Sequence, residues 1–229
     1  MPFRLFTSIA IVLFLVVPFA VVPAHAGIKE REKIEQAIQI LDEIMAIPEK
    51  GIPPSLLSNA EAIAIIPNVI KAGVVIAGRF GRGVMMVRNE NGAWGHPIII
   101  TIGGGSLGFQ IGAQSTDVIL VFKNKRGTEK IFRGKMTLGA DAAVAAGPIG
   151  RRAEASTDEA FQAGILSYSR SRGLFAGVSL EGSVLSVDDE WNREFYQRSV
   201  KAEDLIAAKG SVPPTGMKLK KKLDSYVSR

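Results

Sequence analysis

The sequence predicts an α+β domain: a curved antiparallel β-sheet, barrel-like or a sandwich, flanked by an N-terminal amphipathic helix and C-terminal helices. Three observations predict it. Apolar residues recur at helical spacing from Ile28 to Ile47. Between Gly73 and Gly112, 11 of 40 residues are glycine, interleaved with β-branched runs such as Val74-Val75-Ile76 and Ile98-Ile99-Ile100, a mixture that suits strands with bends and bulges. Strand-like segments follow one another without regular intervening helices, which argues against a doubly wound parallel sheet.

Each element has its own signal. Residues 1–26 carry Arg4, an apolar run from Leu5 to Val22 interrupted by Pro18, and the small-x-small tripeptide Ala24-His25-Ala26. That is the pattern of a signal peptide with cleavage before Gly27, and it places the expected protein in a bacterial envelope, most simply the periplasm. In the first helix Ile34, Ala37, Ile38, Leu41, Ile44 and Met45 form one stripe, widened by Ile40 and Ile47, and Glu32, Glu35, Gln36, Gln39 and Glu43 hold the other face. Such a stripe docks on the domain's own core or on a bilayer surface; Pro48 ends it.

After the Pro53-Pro54 turn, Ser55 to Ala60 reads as a helical turn and Ala62 to Ile66 as a buried strand. Asn89-Glu90-Asn91-Gly92 is a hairpin turn between Val84 to Arg88 and the Trp94 region. Asp117 to Phe122 is an apolar strand, Lys123 to Arg133 a polar connection with helical character, and Met136 to Ala146 a further β-like stretch. Gly164 to Arg170 and Leu174 to Val187 read as two arms of a hairpin around Ser171-Arg172-Gly173. Trp191 to Tyr196 and Ala202 to Ala208 read as closing helices. The expected organisation is thus a signal peptide (1–26), one domain (27–208) and a basic tail (209–229).

Composition narrows the chemistry. With 47% hydrophobic and 22% charged residues the chain has an ordinary globular core. It has no cysteine, which removes disulfides, thiolate metal sites, thiol nucleophiles and the lipidated Cys of a lipoprotein. His96 is the one histidine after residue 26, so no metal site or cofactor is read from the sequence. The formal charge of +6 is uneven: Gly27 to Ala208 holds 21 basic and 21 acidic residues, and the excess belongs to the C-terminus. The body is neutral overall, and without an aromatic ladder no nucleic-acid partner is expected.

Several motifs bear on function. Gly104-Gly105-Ser106-Leu107-Gly108 fits G-x-S-x-G, but the nucleophile elbow needs a helix after the serine and a later histidine, whereas Phe109-Gln110-Ile111 reads as strand and His96 comes earlier. A Ser106 hydrolase is therefore a remote reading. Gly103-x-Gly105-x-x-Gly108 fits the dinucleotide fingerprint without the helix it requires. His96, before Pro97, reads as a turn residue. Arg170, Arg172 and Glu181 read as a cross-strand ion cluster of the proposed hairpin. Lys71, Arg79, Arg82 and Arg88 flank the glycine-rich strands, where several cations at one rim would suit a phosphate headgroup. In the tail, Leu219, Leu223 and Tyr226 form one helical stripe beside Lys218, Lys220, Lys221 and Lys222, an arrangement able to lie on an anionic membrane.

Many ordered runs resemble one family. They include Ala64-Ile65-Ile66, Lys71-Ala72-Gly73, Gly78-Arg79-Phe80-Gly81-Arg82-Gly83-Val84, Thr116-Asp117-Val118-Ile119, Thr137-Leu138-Gly139-Ala140, Ala145 to Arg151 and, above all, Tyr168-Ser-Arg-Ser-Arg-Gly-Leu-Phe-Ala-Gly-Val-Ser-Leu-Glu-Gly-Ser183. Over about Lys29 to Phe195 the chain is similar to the SYLF domain. The resemblance implies a lipid-binding domain without enzymatic activity. In eukaryotic relatives it is associated with phosphoinositides through an N-terminal amphipathic segment, and in some with binding and bundling of actin filaments. Transferred to this chain, the segment is Lys29 to Ile47, with Lys29, Arg31 and Lys33 as headgroup contacts and Ile34, Ile38 and Leu41 as insertion residues. Its three basic and five acidic residues make it net negative here.

The expected function is non-catalytic binding of anionic phospholipid at an envelope membrane, with Lys71, Arg79 and Arg82 at one contact and Lys218 to Lys222 at a second. An exported protein meets no actin in its own compartment. The alternative is an envelope scaffold that binds another protein through the apolar face of the N-terminal helix. Gly173, Gly177 and Gly182 are assigned to backbone geometry.

Overall fold

The computed structural model describes residues 27–46, 51–73, 76–107, 112–149, 162–170 and 180–227. The signal-peptide reading, Arg172, Gly173, Gly177 and the proposed turn at 171–173 lie outside them. Helix α1 (Ile28–Met45) is followed by α2 (Pro54–Ser58), then by four long strands, β1 (Ala62–Gly73), β2 (Ile76–Val87), β3 (Ile98–Leu107) and β4 (Gly112–Phe122). After α3 (Lys125–Phe132) come β5 (Met136–Thr137), β6 (Val144–Ala146), β7 (Ile165–Arg170) and β8 (Val184–Val187). The chain closes with α4 (Asp189–Tyr196), α5 (Ala202–Ile206) and α6 (Pro214–Val227).

Among the described residues the strands form one eight-stranded sheet in the order β5-β8-β3-β2-β1-β4-β7-β6, curled into a half-barrel. All pairings are antiparallel except β6 with β7. The α+β class and the curved sheet are as the sequence predicts; the sheet is open, with β5 and β6 at its edges.

The curvature has local causes. On both sides of β1 the register shifts within Ile65 to Ile70, and Asn68 adopts φ 53° there with its amide donating to Asp117 Oδ1 at 2.9 Å. A Cβ on Gly83 would lie 2.3 Å from the Ile65 carbonyl oxygen, so the bulged strands approach closely only because position 83 lacks a side chain.

Burial divides the long strands in two. In the first half of β1, Ala62 to Ile66 are all fully buried, so both sheet faces are covered there. In the second half Ile70 is 53% exposed, and the β1–β2 ribbon extends past the core. Helix α1 packs on β1 and β2, and α6 packs on α1 and α2. Asn192 of α4 completes the ladder beside β3: its Oδ1 accepts from the Ile99 amide at 2.8 Å and its Nδ2 donates to the Ile99 carbonyl at 2.9 Å.

Two expectations are corrected. β7 and β8 are not hairpin partners: β7 pairs with β4 and β8 with β3, on opposite sides of the sheet. Arg170 therefore pairs with Glu43 of α1 rather than with Glu181. Residues 214–227 are not a free tail either, since Leu219 and Leu223 are wholly buried and Tyr226 nearly so.

Candidate functional site

The apolar stripe of α1 is spent on the core. Ile34, Ile38 and Leu41, the insertion residues that the resemblance implied, are all buried, so the folded domain does not present them to a bilayer. The stripe meets the curved sheet and the Leu219/Leu223/Tyr226 stripe of α6. Charge seals the same seam: Lys218 Nζ lies 2.6 Å from Glu35, and Lys222 Nζ 3.0 Å from Asp42. The acidic excess of α1 thus has a structural use, because it faces the lysine-rich helix. Lys218 and Lys222 are committed to that contact, whereas Lys221 is exposed and Lys220 partly so.

The rim cations separate by strand alternation. Arg79 is buried and donates to Ser183 Oγ at 2.6 Å, and its burial lowers the guanidinium pKa. Lys71, directly opposite Arg79 across the β1–β2 ladder, is half-buried. These two share a sheet face, but Arg79 is held inside, which corrects its assignment as an open headgroup contact.

The other face carries a different cluster. Ile70 and Phe80 are directly paired across β1 and β2, at 53% and 52% exposure; paired residues project from the same face. Two positions along β2, Arg82 places its guanidinium 5.4 Å from the Phe80 ring centroid and 4.5 Å from that of Trp191, while its Nε donates to Asp188 Oδ2 at 2.8 Å. Asp188 also caps α4 by accepting from the Trp191 amide at 3.1 Å. Lys33 of α1 reaches the same neighbourhood: burial lowers its pKa, the Asp117 charge opposes that shift, and the Arg82 charge adds to it. Lys29 lies one turn earlier on the same helix stripe and is exposed, as is Arg31. An exposed apolar pair is thus bordered by Arg82, with Lys33 close enough to Arg82 to feel its charge.

Ser106 lies within β3, opposite Ala77 of β2. The backbone at the serine is continuing strand rather than the sharp strand-to-helix turn that a nucleophile elbow requires. His96 is structural: its amide donates to Leu205 at 2.7 Å, its Nε2 lies 3.1 Å from the Gly210 carbonyl, and burial lowers its pKa. Gly182 has φ 74°, the left-handed geometry that suits glycine. Among the described residues no group of three or more His, Cys, Asp or Glu side chains could hold a metal ion, and no helix is long and apolar enough to cross a membrane.

One cluster escaped the sequence reading. Residues 123–135 hold six cations (Lys123, Lys125, Arg126, Lys130, Arg133, Lys135) against Glu129 alone. A charge count in a short window would have found it; counting over the whole body averaged it to neutrality.

Comparison with known proteins decides the family. The family model described as "Ysc84: Las17-binding protein actin regulator" matches residues 103–226, from within β3 to the last turn of α6. The chain belongs to the Ysc84 (SYLF) family. Similar Ysc84 relatives include the SH3 domain-containing YSC84-like protein 1 of Homo sapiens, 36% identical over 213 residues, covering 90% of this chain and 61% of the relative. An SH3 domain-containing protein of Schizosaccharomyces pombe is 38% identical over 182 residues (78% of this chain, 42% of the relative). Protein YSC84 of Saccharomyces cerevisiae is 37% identical over 180 residues (77% and 38%). The chain therefore spans from under two fifths to about three fifths of these Ysc84 relatives. The family match runs through α6, in keeping with a last helix that is part of the domain.

Proposed function

We propose that this Ysc84-family domain binds anionic phospholipid without catalysis, at a membrane of the bacterial envelope reached by the signal peptide read in residues 1–26. The observation that carries the reading is the exposed Ile70–Phe80 pair, with Arg82 stacked on Phe80 and Lys33 near Arg82. An apolar knob that can enter the acyl boundary beside cations that can meet headgroup phosphates is the combination that interfacial binding needs. The contact sits on the β1–β2 ribbon and the first turns of α1, while the buried stripe of α1 stays in the core. Lys220 and Lys221 on α6 supply a second, weaker electrostatic contact.

Co-sedimentation tests this. Binding should occur with vesicles of phosphatidylcholine mixed with phosphatidylglycerol, weaken as salt rises, and be absent with phosphatidylcholine alone. Absence of binding to both would overturn the lipid reading.

The second reading is a protein-binding scaffold, favoured by the family description, in which relatives are named for binding Las17. The apolar face of α1 is buried, so a partner would use the Ile70–Phe80 pair. Its binding would be governed by apolar contact and respond little to salt.

A further inference from the structure

Helix α3 turns Gly127, Thr128 and Ile131 toward the core, which leaves Lys125, Arg126, Lys130 and Arg133 in solvent. Its last turn, with the following Gly134-Lys135 link, edges a groove of about 700 Å³ whose floor is Val184 and Ser186 of β8. Lys130, Arg133 and Lys135 line it, against one carboxylate, Asp141. That carboxylate is already engaged. Its Oδ1 accepts from Lys130 Nζ at 2.7 Å and its Oδ2 from the Thr137 amide at 2.7 Å, and these bonds hold its pKa down, so it stays ionised. Among the described residues the one carboxylate within ion-pair distance of Arg133 is Glu129 at 3.8 Å, one helical turn away, with the arginine side chain 81% exposed. Among the described residues no carboxylate lies within ion-pair distance of Lys135.

We propose that this groove is a site for a ligand carrying two or more clustered phosphates. Three cations line the groove against Asp141, with Glu129 beside Arg133, and leave a net charge of about +1 in which Lys135 has no carboxylate of its own. The guanidinium of Arg133 offers a planar fork that pairs with two phosphate oxygens, and Lys130 and Lys135 add point charges on either side. A single small anion would leave most of the groove empty, whereas clustered phosphates can engage more than one of its cations. Gly134, at φ 139°, has open space on its Cβ side, so the backbone between Arg133 and Lys135 does not fill the site. Ser186, whose hydroxyl lies 2.9 Å from that of Thr101, puts a polar group on the floor. The groove shares no residue with the Ile70–Phe80 contact and is independent of the membrane reading.

Clustered phosphates occur on lipid headgroups and on soluble molecules, and two arms separate these sources. In the first, inorganic pyrophosphate is titrated calorimetrically into the full chain, into Arg133→Gln/Lys135→Gln, and into Arg193→Gln/Lys201→Gln, two exposed cations outside every proposed contact, as a control for general charge. The groove variant should bind at least about tenfold more weakly, since each near-surface cation contributes about 1 kcal/mol, and the charge control should match wild type. Both variants change exposed side chains, and equal melting temperatures check that the fold is intact. In the second arm the same proteins meet phosphatidylcholine vesicles containing cardiolipin, which carries two phosphates. Measured in an Ile70→Ser/Phe80→Ser background, which removes the ribbon contact, loss of vesicle binding on adding the groove changes identifies a headgroup ligand, and unchanged vesicle binding with weakened pyrophosphate binding identifies a soluble one. The proposal is overturned if wild type does not bind pyrophosphate, or if the groove variant binds it as well as wild type does. Neither result bears on phosphatidylglycerol binding through Phe80, so the two proposals fail separately.

Discussion

The Tyr226 hydroxyl donates a 2.7 Å hydrogen bond to Asp42 Oδ1, joining the last helix to the first across 184 positions of chain. Lys222 holds the other oxygen of the same carboxylate at 3.0 Å. Asp42 is thus the point at which α6 is locked onto α1, with Leu219 and Leu223 buried beside it.

Leu223→Ala should therefore destabilise the domain by about 2–5 kcal/mol, as for a buried leucine that leaves a cavity. Tyr226→Phe should cost about 1–2 kcal/mol, because it removes one hydrogen bond to a charged acceptor. Denaturant unfolding measures both. If α6 were a detached membrane arm, neither change would move the midpoint.

Gly83→Ala should be more damaging than its single methyl suggests. The added Cβ would meet the Ile65 carbonyl oxygen at 2.3 Å and the Ile66 Cα at 2.6 Å, both backbone atoms that cannot rotate away. A cost above about 3 kcal/mol is expected, in the range reserved for core overpacking and backbone strain. Gly105→Ala, with nothing within 4 Å of its Cβ, is the matched control and should unfold close to wild type.

Stability should depend on pH through His96. Burial depresses its folded-state pKa, so the unfolded chain takes up the proton first as pH falls. The stabilisation is fully present above the unfolded value of about 6.5 and is lost as pH falls through the folded value. Melting temperatures between pH 8 and pH 5 should fall more steeply for wild type than for His96→Gln.

How far the sequence revealed this arrangement depends on how local each signal is. The helical stripe of α1 and the Asn89 turn were legible, because a few neighbouring residues carry them; Asn89 Oδ1 indeed accepts from the amides of Asn91 and Ala93, at 3.0 Å each. The sequence marks Gly164–Arg170 and Leu174–Val187 as strand-like, but it does not say which strand lies alongside. Their partners β4 and β3 are distant in sequence, so nearness in the chain suggested a hairpin that does not form. The stripe of α6 was legible too, but a stripe at helical spacing reads the same whether it meets lipid or another helix. Arg79 and Arg82 looked equivalent in sequence, yet strand alternation buries one against Ser183 and places the other over Phe80 and Trp191.

The Arg82 contacts carry a prediction of their own. Its guanidinium joins Asp188, Phe80 and Trp191, so Arg82→Ala should loosen α4 against the ribbon and shift the Trp191 emission. Trp94 is fully buried beneath Arg88, at 4.1 Å from its guanidinium, and should contribute an unchanged component. Arg82→Lys should restore the charge but only part of the stacking, since an ammonium lacks the planar fork. Fluorescence of the variants measures this.

The most direct measurement is vesicle binding by Ile70→Ser/Phe80→Ser. Both side chains stand about half in solvent, so the variant should melt near wild type while losing the apolar knob. Against vesicles of phosphatidylcholine with phosphatidylglycerol, its partition coefficient should fall at least about tenfold, as removal of two large apolar groups from the interface requires. Equal partitioning of variant and wild type would contradict a membrane contact on the β1–β2 ribbon.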